Sequence, residues 1–304
     1  MIVADFPTSE LSQRLAGPGM ALRTGAFVNV IQSAIPAVSE AIALLYSNHP
    51  LVESGGFADF HVSVRAATGV RRWLRRQVLF EFDGARPFKP LPFPQAFPML
   101  EWGLNWCVSN HCNNLLVFHA AVIAHENRAL ILAAPPGYGK STLCAALVNC
   151  GWRLLSDELT LIDPASGNVL PLARPVSLKN ASIGVIRSFA PDAPLSRIVT
   201  DTVKGSVAHM RPPVGSVQRA NEPAKPHWIV FPRFQSGAPT TLSPYAKARA
   251  FMQLADNAFN YNVHGKRGFE TVADLVSSSG CYEFSYGNLN EAVSVFDTLA
   301  KSAP

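Results

Sequence analysis

One stretch narrows the choice of fold more than any other: LILAAPPGYGKSTLCAALVNC, residues 130–150. Its apolar start reads as a strand. Pro135, Pro136, Gly137 and Gly139 enforce a turn, and Lys140-Ser141-Thr142 lead into a helix over 141–150 closed by Gly151. Leu143, Ala146, Leu147 and Cys150 share one face of that helix. A strand that passes through glycines into a helix start can cradle an anion. Gly137 and Gly139 permit backbone conformations that turn successive N–H groups inward, and the helix points its positive end at the same place. Lys140 can reach β and γ phosphates, and the Ser141 hydroxyl can ligate Mg²⁺. The strict phosphate-loop pattern G-x-x-x-x-G-K-[ST] has glycine where Ala134 stands; its remaining positions are filled.

The flanks extend this into a unit. LLVFHAAVIAH (115–125) and RALILAA (128–134) read as strands about a reverse turn at Glu126-Asn127. WRLLSDELTLID (152–163) returns as a strand, and PASGN is a turn. Strand, loop, helix, strand is the supersecondary unit of an α/β nucleotide-binding domain. Asp157 and Glu158 lie where the returning strand emerges. Neighbours on a strand face opposite sides, so both carboxylates approach the phosphates only if the strand bends there. Acidic residues so placed can hold Mg²⁺ or take a proton from an attacking hydroxyl. His119 stands alone in an apolar strand, which by itself is the ordinary pattern of a hydrogen-bonded core histidine.

Elsewhere the pattern is looser. Residues 1–20 are rich in Pro, Gly and Ser and read as a loose arm. The spacing predicts helices over 36–46, with Ser39 near the start, and over 99–111; strands are expected over 57–66 and 71–84, the latter ending in the turn Asp83-Gly84. Five prolines in 86–98 mark a connector. Residues 191–226 read as an excursion over the surface with the character of a mobile lid. A strand over 227–234 ending at Pro232, helices over 246–259 and 269–279, a strand over 281–287 and a closing helix over 290–300 complete the chain. The expected architecture is α/β, with a smaller α+β unit over 1–110 and a nucleotide-binding unit over 111–304.

Among 304 residues, 48% are hydrophobic and 15% charged, enough to bury a sizeable core. A net charge of +5 is mild, and the densest basic cluster is Arg71, Arg72, Arg75 and Arg76, so nucleic acid is not the expected partner. The N-terminus makes a poor signal peptide and no apolar run reaches membrane-spanning length. Five cysteines without framework spacing read as reduced thiols. Cys107 and Cys112 have no second ligand pair nearby and read as helix thiols rather than a metal site. The expectation is a cytoplasmic protein with no membrane partner.

Residues 118–162 resemble the catalytic core of HPr kinase/phosphorylase. That family carries a His-Gly-x-x-V strand, a G-x-G-K-S loop and Arg-Leu-x-Ala-Asp-Asp; here stand His119-Ala120, Gly137-Tyr138-Gly139-Lys140-Ser141 and Arg153-Leu154-Leu155-Ser156-Asp157-Glu158. The whole chain is most similar to the HprK-related kinase A family. The resemblance implies an HPr kinase-type phosphate-loop domain that uses ATP and Mg²⁺. It implies nucleotide binding by Pro136, Gly137, Tyr138, Gly139, Lys140, Ser141 and Thr142, and metal binding by Ser141, Asp157 and Glu158. It makes Asp157 the general base, His119 a group beside the phosphates that orients or charges the site, and Glu158 a metal ligand or a support for Asp157. The chain departs from the family at Thr142, where the loop usually continues with Glu, at Glu158, where it has a second Asp, and throughout its N-terminal third. Arg174, Lys179, Lys204, His209, Arg211 and Arg233 are candidates for the acceptor side. The acceptor is a hydroxyl of a protein, a peptide or a small molecule; a homo-oligomer stays open. A nucleotide-binding switch or scaffold without phosphotransfer is the alternative, and a peptide-binding module on the N-terminal part is a third reading.

Overall fold

The structure, a computed structural model, describes residues 1–53 and 55–302; the Arg72 and Ser302 side chains and the last two residues of the expected 111–304 unit lie outside it. The N-terminal part begins with helix α1 (Thr8–Ala16), where the sequence reads as a loose arm. Leu11 and Leu15, four apart and therefore on one face, are buried, and Val3 ahead of them is buried too. The helix hides only this narrow stripe, which Pro and Gly on either side disguise in the sequence. Strands β1 (Met20–Thr24) and β2 (Phe27–Gln32) follow, with alternating burial along β1 that the sequence reading passes over.

Helix α2 (Pro36–Leu45) crosses over to β3 (Phe60–Ala66), so β2 and β3 pair in parallel. Ser39 lies inside α2, where its hydroxyl donates to the Pro36 carbonyl at 2.9 Å. β4 (Gln77–Phe82) turns at Asp83 and Gly84, which take φ of 45° and 79°, the left-handed pair that a tight hairpin requires. The proline-rich connector contributes a short strand, β5 (Leu91–Pro92), and then α3 (Ala96–His111). The sheet order is β1-β2-β3-β4-β5.

The apolar core of this part does not stop at residue 110. Leu115, Val117, Leu159, Leu161 and Leu172 belong to the same buried cluster as Ile42, Phe80 and Leu100.

The run 115–125 expected as one strand is two. β6 (Leu116–Phe118) and β7 (Ala121–His125) join different sheets, with His119-Ala120 as the step between them. β8 (Arg128–Leu132) leads to the glycine loop and α4 (Lys140–Asn149). The returning run also divides, into β9 (Arg153–Ser156) and β10 (Thr160–Ile162). After β11 (Val169–Leu170) come β12 (Val176–Lys179) and α5 (Ala181–Phe189).

Residues 191–226 are not an irregular excursion. They carry β13 (Val199–Thr202), β14 (Gly205–Met210) and α6 (Val214–Gln218). β14 lies between β12 and β13, and Val207, Ala208, His209 and Met210 are buried, which ties the segment to the core.

β15 (Lys225–Phe234), β16 (Thr241–Pro244), α7 (Lys247–Asp256), α8 (Tyr261–Ser278), β17 (Gly280–Tyr286) and α9 (Leu289–Ser302) complete the chain. α8 starts eight residues before the expected 269 and kinks at Gly265, where φ is 53°. The main sheet runs β16-β17-β15-β8-β7-β9 and is mixed, with β8, β15 and β17 parallel. Both faces are covered. Ile123, Leu130 and Leu132 join α4 and α9 on one side, while Val122, Ala129 and Ile131 join α7 and α8 on the other. That is why these strands read as unbroken apolar runs. No helix of the described residues is long and apolar enough to cross a membrane.

Candidate functional site

The site begins where β8 gives out. Ala133 still donates its N–H to Val230 at 3.0 Å; beyond it the chain leaves the sheet and Pro135–Tyr138 are exposed. Gly137 and Gly139 take φ of 90° and 87°. Gly139 precedes α4 with no side-chain cap, so the first-turn N–H groups at Lys140, Ser141 and Thr142 have no intrahelical acceptor. The loop has a floor. The Tyr286 hydroxyl donates to the Gly139 carbonyl at 3.0 Å, and the Phe234 N–H donates to the Tyr138 carbonyl at 3.1 Å. Pro232 sits inside β15 rather than at its end. It stands two residues past Val230, where the pairing with β8 stops, as a residue without an N–H requires.

β9 ends at Ser156 and the chain bends at Asp157 and Glu158, the condition under which both carboxylates reach one place. Asp157 is 4% exposed. Its Oδ2 accepts the Ser177 N–H at 3.1 Å; its Oδ1 is buried with no hydrogen-bond partner among the described residues. The Lys140 Nζ is likewise buried and unpartnered. Glu158 accepts from Asn105 Nδ2 on one oxygen and faces Lys179 Nζ at 3.4 Å with the other.

These surroundings separate the two acids. Burial, reinforced by the Glu158 charge, pushes Asp157 up to about 6, although Lys140, Lys179 and the Ser177 N–H pull the other way. Burial acts on Glu158 too but is outweighed by Lys179, Lys204, Lys140 and His119, which hold it down at about 2. One carboxylate is a fixed anion and its neighbour exchanges a proton near neutrality, a division that lets adjacent acids take different roles. Burial lowers the Lys140 ammonium, against the pull of Asp157 and Glu158. Burial and Lys140 lower His119 to about 4, so its imidazole is neutral at pH 7 and cannot add a charge.

The expected residues therefore fall into one neighbourhood: the loop 136–142, Asp157, Glu158, and His119 at the β6–β7 step. Of the acceptor-side candidates, Lys179 and Lys204 act on Glu158, and Lys204 lies 5.2 Å from the Trp102 ring. Arg174 does not face an acceptor. It is buried against Glu101 at 2.7 Å and donates to Asn105 at 2.7 Å. Arg211 points to Ser47, and Arg233 is exposed on β15. The sequence reading misses Trp102 and Asn105 of α3, and Ser177. The signal available was polarity out of place: Glu101 and Asn105, four apart on one face of a helix that is otherwise apolar up to Val108. Cys107 is buried in the same helix, its thiol pushed up to about 12 by burial.

The buried ammonium, unpartnered among the described residues, and the first-turn amides fit the oxygens of a polyphosphate, while the Asp157 carboxylate oxygen can only accept and fits a proton donor or a cation beside it. No group of three or more His, Cys, Asp or Glu side chains among the described residues could enclose a metal ion. Mg²⁺ does not need one, since it commonly takes one or two protein oxygens and completes its shell from phosphates and water. Ser141 and Glu158 offer such oxygens.

No family model and no curated protein matches the chain. Among solved structures it is similar to the HPr(Ser) kinase/phosphatase from Coxiella burnetii, at 11% sequence identity over 61% of this chain and 93% of that chain, with a TM-score of 0.28.

Proposed function

We propose that this protein transfers the γ-phosphoryl group of ATP to a hydroxyl acceptor. The observation that carries the reading is a pair of buried polar atoms with no hydrogen-bond partner among the described residues, Lys140 Nζ and Asp157 Oδ1, next to a glycine loop that opens a helix. The sequence resemblance of 118–162 supports it. Bound Mg²⁺ would neutralise charge on the β and γ phosphates. Lys140 and the amides of 140–142 would bind the phosphate oxygens; Ser141 and Glu158 would hold the ion. Asp157 orients the hydroxyl and takes its proton, and neutral His119 holds its ring beside them. With ATP as donor, such catalysis is mostly positioning and charge stabilisation.

The test uses γ-labelled ATP with Mg²⁺ and a lysate of the source cell, the label being traced to protein, peptide or metabolite. Lys140→Ala should lose nucleotide binding. Asp157→Asn should retain it, by calorimetry, while transfer falls by about 10²–10⁴. Unimpaired transfer in Asp157→Asn removes the base. Binding without any transfer by the parent chain would leave a nucleotide-dependent switch.

A further inference from the structure

We propose that a small cavity beside Asp157 seats the acceptor oxygen, and that α3 of the N-terminal part forms its far wall. The cavity measures about 20 Å³; Trp102, Asn105, Asp157, Glu158, Ser177 and His209 are among the residues that line it. Four of them hold a buried polar atom with no hydrogen-bond partner among the described residues: Trp102 Nε1, Asp157 Oδ1, Ser177 Oγ and His209 Nε2. Unpaired buried polar groups are costly and rare, and here four of the side chains that line one small space carry them, so the space calls for a polar occupant.

Size and chemistry select the occupant. The volume suits a single oxygen and is too small for a phosphate or a ring. The indole N–H only donates and the ionised carboxylate only accepts, whereas the serine hydroxyl and the imidazole can do either. A metal ion or an ammonium cannot accept from Trp102, and a carbonyl or an anion has no proton for Asp157. A hydroxyl, of an alcohol or of water, does both. The half-buried residues Trp102, Asn105 and Glu158 mark the cavity's open side, where the carbon bearing that hydroxyl would lie.

This deepens the phosphotransfer reading and rests on it. The seated hydroxyl gives its proton to Asp157 Oδ1 as its oxygen bonds to the γ-phosphorus of ATP. The bond from that phosphorus to the bridging oxygen breaks, and its electron pair leaves on ADP.

Water is the acceptor that needs no identification, so the probe is Mg-ATP hydrolysis by the full chain without added alcohol. Trp102→Phe keeps the ring and removes the N–H; Ser177→Ala removes the hydroxyl. Each should lower kcat about tenfold, the equivalent of one hydrogen bond, with the KM for ATP unchanged and the thermal melt showing a folded protein. Parental kcat in both variants overturns the proposal. So does a raised KM at constant kcat, which would give the cavity to the nucleotide. A parent chain that does not bind Mg-ATP removes the phosphotransfer reading itself. Where the parent binds but does not hydrolyse, a crystal structure of the full chain decides. One oxygen-sized peak in hydrogen-bonding reach of Trp102 Nε1 and Asp157 Oδ1 is expected; those atoms paired to protein groups around an empty space would overturn the seat.

Discussion

Gly137 and Gly139 share a φ near 90° but not their surroundings. A Cβ on Gly137 would meet nothing within 4 Å; one on Gly139 would collide with the Tyr286 hydroxyl and stand 2.8 Å from Phe234 Cβ. Gly137→Ala should therefore cost only backbone strain, about 1 kcal/mol, and Gly139→Ala roughly 2–3 kcal/mol together with the proposed nucleotide affinity. Equal urea midpoints for the two variants would show that the floor yields. His49 supplies a pH signature at the same scale. Its Nε2 donates to the Ala173 carbonyl at 2.8 Å, and burial lowers its pKa from 6.5 to about 4. Between those values the unfolded chain holds the extra proton, so this contribution to stability is present at pH 7 and is lost as pH falls from about 6.5 towards 4. Asp157, raised from 3.8 to about 6, acts oppositely, the folded chain holding the extra proton in that window. A His49→Gln cycle isolates the first effect. Its cost in urea unfolding should be about 2 kcal/mol smaller at pH 5 than at pH 7, and equal costs would show that His49 is not held neutral.

Among the elements, α3 is fastened to the stretch ahead of β12 by one buried charge cluster. Glu101 accepts from the Tyr46 hydroxyl at 2.6 Å and pairs with Arg174 at 2.7 Å; Arg174 in turn holds Asn105, which holds Glu158. Removing one partner strands a buried charge. Glu101→Ala should lose about 3–5 kcal/mol, and adding Arg174→Met to it should recover part of that loss. No recovery in the double variant would mean that the pair matters through packing rather than charge. The cluster also shows which elements were legible. β8, its glycine loop and α4 could be read because local chemistry dictates them: positive φ needs glycine, and an apolar run follows it. The expected face of Leu143, Ala146, Leu147 and Cys150 was too narrow, since α4 is buried from Leu143 through Val148 and Cys150 is exposed beyond its end. The division of 115–125 at His119 could not, since a strand that changes sheet stays apolar throughout. Likewise, nothing local says that 152–163 bends at Asp157, because the bend is imposed by β10 pairing with β6 instead of following β9. Trp102 and Asn105 were hidden for another reason: their partners lie 50 or more residues away, as Glu158 does from Asn105.

For the whole molecule, the shared core decides whether the chain can be divided. Cutting at 110 would expose Leu115, Val117, Leu159, Leu161 and Leu172, which are buried in the intact chain. A true domain boundary crosses few contacts. A fragment spanning 111–304 should therefore fail to give a cooperative melt, while the full chain melts in one transition. A fragment that folds and binds nucleotide would show that α3 only covers the site.

The floor under the glycine loop has a consequence for how the protein is made. Tyr286 lies 147 residues beyond Gly139. At ordinary elongation rates a ribosome needs on the order of ten seconds to cover that distance. Throughout that interval Lys140 and its loop exist without the hydroxyl that holds Gly139 from below. If the loop binds nucleotide as proposed, nascent chains should acquire that affinity late, after Tyr286 has been added, and a ligand present in the cell would reward completed chains rather than guide unfinished ones.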